Sequence, residues 1–129
     1  MATRILELWI IDKSGLSLVH IQSPTLEGKP SINPMLFSGF LTAVESMASE
    51  SIDSIKMKDS KIVIMPVHQP TKFFVVGRGK MGDKDDNLRK VLDRVKDLFL
   101  EEFGEILASW RGNHQIFSFF EEKVIKYFH

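Results

Sequence analysis

The chain opens with two apolar runs joined by the polar sequence DKSG at 12–15. Asp and Ser can hydrogen-bond to nearby backbone and Gly tolerates a positive φ, so this sequence favours a hairpin turn. In the first run alternation places Ile5 and Trp9 on one face and Leu8 on the other, and Glu7 is the only charge. A strand that is apolar on both faces is typical of a sheet interior. The pattern therefore predicts a hairpin whose first strand has a neighbour on each side.

A helix is predicted at 33–49. Asn33 is a preferred N-cap and Pro34 is tolerated at the first helical position. The apolar residues that follow keep the i, i+3, i+4 spacing of one buried helix face. These are Leu36, Phe37, Phe40, Leu41, Val44, Met47 and Ala48.

Three short strands are predicted next, at 52–57, 61–65 and 72–76. The second and third are apolar at successive positions, as strands covered on both faces are. The prolines between them are expected to end their pairing. The first of the three is more polar, which suits the outer strand of a sheet, where charge discourages unwanted pairing.

Two further helices are predicted. Asp85 or Asp86 can cap the first, whose apolar stripe continues to near Trp110. The second follows a Gly-Asn break, and its main apolar stripe consists of Ile116, Phe117, Phe120, Val124, Tyr127 and Phe128. Its apolar arc is wide, because Phe119 and Ile125 fall outside this stripe. A helix with such an arc needs a second neighbour, which is either a partner chain or the loop before the helix. The complete order of elements is ββαβββαα, an α+β fold in a single domain spanning 1–129.

The outward face of the predicted helix 33–49 has few charges. Wound at about 100° per residue, this helix turns small, uncharged residues outward: Ser38, Gly39, Thr42, Ser46 and Ser49. Glycine inside a helix costs about 1 kcal/mol relative to alanine, so its presence here indicates that another backbone approaches closely. We predict a protein–protein contact on this face. The alternative is that these serines are ordinary exposed residues.

The sequence GRGKMG at 77–82 has the glycine spacing of a dinucleotide-binding motif. That motif requires a βαβ unit with an acidic residue ending the next strand, whereas only helices follow here. The P-loop spacing also matches, but Asp-Lys stands where the phosphate and magnesium ligands belong. We therefore expect a flexible loop at 77–84. A weak anion site formed by Arg78, Lys80 and the following helix N-terminus is conceivable, although three aspartates oppose it.

Composition narrows the function classes. Seventeen basic residues balance seventeen acidic ones, which argues against a nucleic-acid binder with a broad positive field. The absence of cysteine excludes disulfides, thiolate zinc sites and a thiol nucleophile, and the four histidines have no metal-ligand spacing. No cofactor or metal is predicted, and nothing argues for an enzyme. No stretch approaches the ~18 apolar residues of a membrane span, so we expect a cytoplasmic protein whose membrane contact is peripheral or through partners.

The element order and four segments together resemble the longin domain. The segments are the hairpin ILELWIIDKSGLSLVHI, the helix FSGFLTAVESMASES, the pair SIKMKDSKIVIMP and the strand FFVVGRGK. The chain is similar to the small longin-like domains of Rab GTPase exchange factors and trafficking-complex subunits. This resemblance implies a longin/profilin-like five-stranded antiparallel sheet in αβα layers, with the first helix on one face and the other two on the opposite face.

The resemblance also implies a non-catalytic role. Longin domains pair through the first helix and the adjacent edge strand, and the pairs form platforms for small GTPases. It therefore extends the predicted interface from the helix to Ser54 and Lys56 of the edge strand. The expected partners are an identical or different longin or roadblock-type subunit and a Ras- or Rab-type GTPase, in vesicle trafficking or related signalling. Because the sequence has neither a fusion helix nor a membrane anchor, a direct membrane-fusion role is not expected.

Two other function classes stay open. One is a small-ligand sensor with an apolar pocket between the sheet and the Phe-rich C-terminal helix. The other is an enzyme that binds a nucleotide at the glycine-rich segment 77–82. Stabilisation by an apolar ligand would favour the sensor, and calorimetry with nucleotides would decide the enzyme.

Overall fold

A computed structural model describes residues 3–12, 17–26, 54–56, 60–69, 71–107, 117 and 119–129. Within these ranges the fold is α+β, with a five-stranded antiparallel sheet and two α-helices. The strands are β1 (Glu7–Asp12), β2 (Ser17–Gln22), β3 (Ser54–Lys56), β4 (Ser60–Val67) and β5 (Phe73–Lys80). The helices are α1 (Asp85–Leu107) and α2 (Phe120–Val124), and 3₁₀ turns lie at Pro24–Leu26 and Ile125–Tyr127.

The sheet has the strand order β2-β1-β5-β4-β3, and every neighbouring pair is antiparallel. The predicted interior position of β1 is confirmed, since β1 pairs with β2 on one side and β5 on the other. Trp9 lies opposite both His20 and Val76 in this register. The polar strand β3 lies at an edge, as predicted for an outer strand.

The start of β1 differs from the prediction. Ile5 was expected on the same face as Trp9, but it packs in the cluster that contains Leu8 and Ile10. The backbone bends at Leu6, so the alternation of a regular strand begins only at Glu7. Ile5 instead forms a parallel β-bridge with Phe128.

β4 is longer than predicted because Pro66 does not end its pairing. Pro66 lies opposite Phe74, and the ladder with β5 continues to the next pair. The residues of β4 that pair with β3 end at Val63. The missing N–H of Pro66 therefore interrupts no described pairing with β3, which is the situation in which a strand tolerates proline.

The predicted flexible loop at 77–84 is wrong for its first four residues, which belong to β5. The reason is the packing of α1. A Cβ atom at Gly77 would lie 2.5 Å from Leu92 Cδ2, and one at Gly79 would lie 2.5 Å from Leu88 Cδ2. The two glycines thus let the helix lie close to the strand, and the turn that follows is closed by a hydrogen bond from the Asp83 N–H to the Lys80 carbonyl (3.0 Å).

α1 begins with Asp85 and Asp86 in its first turn, and such acidic residues favour a helix N-terminus. The described part of the helix ends at Leu107, so the predicted end near Trp110 lies outside the described residues. Its buried side chains recur at helical spacing and pack on one face of the sheet. They are Leu88, Val91, Leu92, Val95, Phe99, Phe103 and Leu107.

The C-terminal helix was predicted to continue to Phe128, and this is wrong. After Val124 the chain makes a 3₁₀ turn and then becomes extended at Phe128. The competing interaction is backbone pairing with the start of the chain. The Ile5 N–H donates to the Tyr127 carbonyl (2.8 Å), and the His129 N–H donates to the Ile5 carbonyl (3.1 Å).

The sheet has a buried cluster on each face. The helix-side cluster contains the buried faces of α1 and α2 with Leu8, Ile10 and Val75 of the sheet. The opposite cluster consists of strand residues, each at most 8% exposed: Trp9, Ile11, Ile62, Ile64, Phe74 and Val76. No residue of the described helices belongs to this second cluster.

Candidate functional site

A polar cluster lies beside the apolar residues of the opposite face. Glu7 is its centre, with 0% of its surface exposed. Since successive strand residues alternate between faces, Glu7 points to the same side as Trp9. Burying a carboxylate is costly unless it is paired and hydrogen-bonded, so the neighbours of Glu7 decide whether the strand tolerates it.

Both carboxylate oxygens of Glu7 have polar neighbours. His20 Nε2 lies 2.6 Å from Oε2, and Gln22 Nε2 donates to the same oxygen at 3.3 Å. Arg78 Nη1 donates to Oε1 at 3.4 Å. Arg78 Nε in turn donates to Ser60 Oγ at 2.8 Å. The cluster therefore joins the adjacent strands β2, β1, β5 and β4 through side chains.

The His20 ring is held on two sides. It stacks on Trp9 with ring centroids 5.5 Å apart and an interplanar angle of 11°. Its side chain is 27% exposed, whereas that of Glu7 has no exposed surface. In the described part of the chain, His20 thus connects the buried carboxylate with solvent.

A second ion pair lies on the helix side of the sheet. Lys61 Nζ is 2.9 Å from Asp85 Oδ1, which links β4 to the first turn of α1. The hydrogen bond from Lys61 lowers the pKa of Asp85, and the positive charges of Lys61, Arg89 and Lys56 lower it further, against a smaller opposing effect of burial. Asp85 therefore stays ionised to lower pH than an ordinary aspartate.

A third ion pair connects the two helices. Lys123 Nζ of α2 lies 2.9 Å from Glu102 Oε2 of α1. This hydrogen bond, with the charges of Glu102 and Glu101, raises the pKa of Lys123. Both side chains are close to half exposed, so the pair orients α2 on α1 but adds little stability.

Most residues of the predicted interface lie outside the described residues. These are Ser38, Gly39, Thr42, Ser46 and Ser49. The other two predicted interface residues lie on the edge strand β3, where Ser54 is half-buried and Lys56 is exposed. The interface as a whole stays a prediction.

The predicted anion-site residues lie at the end of β5. The described contacts of the Arg78 side chain are with Glu7 and Ser60, so its charge already faces a carboxylate. The Lys80 side chain is exposed, and its backbone N–H donates to Asp83 Oδ2 at 3.1 Å. The anion site stays a prediction. A nucleotide site at 77–82 also stays a prediction. Gly77 and Gly79 face leucines of α1.

Aromatic rings fill the contact between α1 and the C-terminal segment. Phe99 and Phe103 contact each other and also Phe117 and Phe120, with ring centroids 4.9 to 6.0 Å apart. The sensor hypothesis, with an apolar pocket between the sheet and this segment, stays a prediction. Phe119 by contrast is 74% exposed.

The wide apolar arc predicted for the last helix therefore leaves two side chains in solvent. Phe119 has most of its surface exposed, and Ile125 is 44% exposed. The alternative in which one of them packs under the preceding loop is not supported by these exposures.

The described residues contain no group of three or more His, Asp or Glu side chains that could hold a metal ion. None of the helices among them is long and apolar enough to cross a membrane. Comparison with known proteins adds no assignment. No family model and no curated protein sequence matches this chain.

Sequence reasoning missed the Glu7 cluster. Its contacts join positions 13, 15 and 71 residues apart along the chain, so no local pattern marks them. One signal was present in the sequence. A single carboxylate in an otherwise apolar interior strand requires a buried cationic or hydrogen-bonding partner, and Arg78 in the strand FFVVGRGK is the matching charge.

Proposed function

We propose that this chain is a non-catalytic, longin-like interaction module that dimerises and scaffolds or regulates a small GTPase. The supporting observation is the buried opposite face of the sheet, where Trp9 and Val76 have 0% exposure although α1 and α2 both contribute to the other cluster. In the proposed arrangement the amphipathic segment 33–49 is the helix that covers this face. The element order is then ββαβββαα, with one helix on one face and two on the other.

The proposed dimer interface combines the outward face of helix 33–49 with the edge strand β3. An edge strand offers unpaired backbone groups to a partner, and β3 lies at an edge of the sheet formed by the described strands. The small residues Gly39, Thr42 and Ser46 would let a partner backbone approach closely. The partner is another longin or roadblock-type subunit, either a second copy or a different chain.

The choice of a Ras- or Rab-type GTPase as the regulated partner rests on the longin resemblance. In this proposal the module acts in the cytoplasm, in vesicle trafficking or related signalling, and reaches membranes only peripherally or through its partners. It needs no cofactor, because its role is to bring proteins together.

The test uses two charge variants of the proposed interface, Thr42→Arg and Ser46→Glu. A matched pair, Lys90→Glu and Glu101→Arg, places the same kinds of charge on exposed positions of α1. Binding to a panel of purified Ras- and Rab-type GTPases, each with GDP and with a non-hydrolysable GTP analogue, is measured by calorimetry.

We expect at least one GTPase to bind the wild type and both α1 variants with similar affinity. The two interface variants should weaken binding at least about tenfold, since an unpaired charge buried in an interface costs more than 1.4 kcal/mol. Absence of binding across the panel would contradict the GTPase role. Equal binding by all variants would contradict the interface.

A further inference from the structure

The edge strand β2 is open to pairing. It has six residues, and no strand in the described ranges pairs with its outer side. Natural edge strands are usually protected by shortness, lysine or proline. The described part of β3 at the opposite edge has an exposed lysine, Lys56, whereas β2 contains no Lys, Arg, Asp, Glu or Pro.

The hydrogen-bond register identifies which backbone groups of β2 are available. The Ser23 N–H donates to the Leu6 carbonyl (2.8 Å), in line with the pairing of Glu7 with Gln22. In an antiparallel ladder the backbone groups of successive residues point alternately to the two sides. Val19 and Ile21 therefore direct their N–H and C=O groups toward β1. His20 and Gln22 direct theirs outward, where another extended backbone can pair with them.

The sequence of β2 favours an identical strand as the partner. In an antiparallel pair of two β2 strands centred on Ile21, His20 of each copy lies opposite Gln22 of the other. The outward N–H and C=O groups of these two residues then hydrogen-bond to each other. On the helix side of the sheet, the Ile21 side chains of the two copies lie side by side. On the opposite face, the His20 imidazole of one copy lies beside the Gln22 amide of the other. No charged side chain of β2 opposes this contact, whereas like charges placed opposite each other destabilise a strand pair.

The β-bulge of this hairpin lies at the other end of β2. The β1–β2 register shifts between Ile10 and Ile11, near Ser17. Bulges twist a strand away from regular pairing, so the regular end of β2, from Val19 onward, is the part that can extend the sheet.

We propose that two copies of this chain associate through antiparallel pairing of their β2 edges about a two-fold axis at Ile21. The result is one continuous ten-stranded sheet, twice the five strands of one copy. This contact is separate from the proposed interface on helix 33–49 and β3, which lies at the opposite edge. A short strand pair buries less than the roughly 1,200–2,000 Å² of stable interfaces, so the association is weak and depends on concentration.

The test is amide hydrogen exchange of the wild-type chain, measured by NMR from about 10 μM to about 1 mM. The outward N–H groups of His20 and Gln22 should exchange at least about fivefold more slowly at the highest concentration. Those of Val19 and Ile21, which point toward β1, should be protected throughout. Association through helix 33–49 would not produce this alternation, so the two interfaces are distinguishable.

Two results would overturn the proposal. One is exchange of His20 and Gln22 that does not change with concentration. The other is full protection of these amides at the lowest concentration, because the edge would then be covered within one chain. A Gln22→Ala variant, which loses the side-chain bond to Glu7 but keeps the backbone N–H, is the matched control and should keep the concentration dependence. A Gln22→Pro variant also loses the backbone donor, at an outward position of an edge strand where proline interrupts no pairing with β1. It should lose the concentration dependence at His20, while Lys56→Gln at the other edge should keep it.

Discussion

Glu7 is the residue whose environment says most about how this sequence folds. A carboxylate with no exposed surface persists in an interior strand because His20, Gln22 and Arg78 surround it. Such pairs stabilise a fold weakly compared with apolar packing, but breaking them by removing one partner is strongly destabilising. A one-residue slip of β1 would also turn Glu7 to the opposite face. The cluster therefore favours one register.

Replacing Glu7 by glutamine tests this role. Glu7→Gln keeps the shape but leaves the largely buried Arg78 without its carboxylate. We therefore expect a loss of about 3–5 kcal/mol in the free energy of unfolding, measured with urea. Glu101→Gln on the exposed face of α1 should change it by less than about 0.5 kcal/mol. Adding Arg78→Met to Glu7→Gln should recover part of the loss. A Glu7→Gln variant as stable as the control would contradict the cluster's role.

Gly77 and Gly79 act through close approach of a helix. A methyl group at either position would meet a buried leucine at 2.5 Å, and overpacking of this kind costs about 1–3 kcal/mol. We expect Gly77→Ala and Gly79→Ala to lose this much in denaturation experiments. Gly82→Ala is the matched control, because among the described residues no heavy atom outside its chain neighbours lies within 4 Å of the added Cβ. Equal stability of all three variants would remove the packing explanation.

Residue-level prediction from the sequence succeeded where the pattern is local and failed where partners are distant. The alternation of β1 correctly indicated an interior strand. The glycines of GRGKMG suggested a loop, because their spacing reveals neither Leu88 nor Leu92. Only the three-dimensional position of α1 explains why both glycines belong to a strand.

At the scale of elements, the Lys61–Asp85 pair joins β4 to the start of α1. Folding lowers the pKa of Asp85 through the hydrogen bond from Lys61. The pair therefore stabilises the fold above the ordinary aspartate pKa of about 3.9, and this contribution is lost as the pH falls through the lowered value. As the pH falls from about 5 to about 2, the free energy of unfolding of the wild type should therefore decrease more than that of Lys61→Met.

The control for this pH dependence is Lys90→Met, which removes an exposed lysine from α1. Its stability should follow that of the wild type in parallel over the whole pH range in urea denaturation. If Lys61→Met also ran parallel to the wild type, the proposed coupling between Lys61 and Asp85 would be wrong.

The C-terminal segment offers a prediction with adjacent residues as test and control. Phe120 is 1% exposed and contacts Phe99, whereas Phe119 is mostly exposed. Phe120→Ala should cost about 3–5 kcal/mol in thermal or urea unfolding. Phe119→Ala should change stability by less than about 0.5 kcal/mol. Similar losses for both variants would mean that the segment packs through a different face.

The boundaries of this segment could not be predicted from helical periodicity. The stripe that ends with Val124 and Phe128 predicted a continuous helix, but Phe128 pairs with Ile5, more than a hundred positions away in the sequence. A backbone hydrogen bond to a distant strand competes with the last helical turn, and a local pattern contains no information about it. Pro66 is the reverse case, because a local rule against strands failed where β4 pairs with β5 beyond the described part of β3.

At the scale of the whole molecule, the order of the elements predicted an α+β fold, and the longin resemblance implied a five-stranded antiparallel sheet. The described residues show both. The predicted helix 33–49 and most of the predicted interface lie outside the described residues, so they stay predictions. The apolar residues of the opposite face, centred on Trp9, are buried all the same. An amphipathic helix with the spacing found at 33–49 is the element of this sequence best suited to cover them.

Solution mass shows whether the chain dimerises through helix 33–49 and β3. Light scattering with in-line chromatography is measured over a wide concentration range for the wild type, Thr42→Arg and Lys90→Glu. We predict a dimer for the wild type and for Lys90→Glu, and a monomer for Thr42→Arg at low concentration, where the weak β2 contact does not form. A wild type that stays monomeric at every concentration, or a Thr42→Arg variant that stays fully dimeric, would contradict the account.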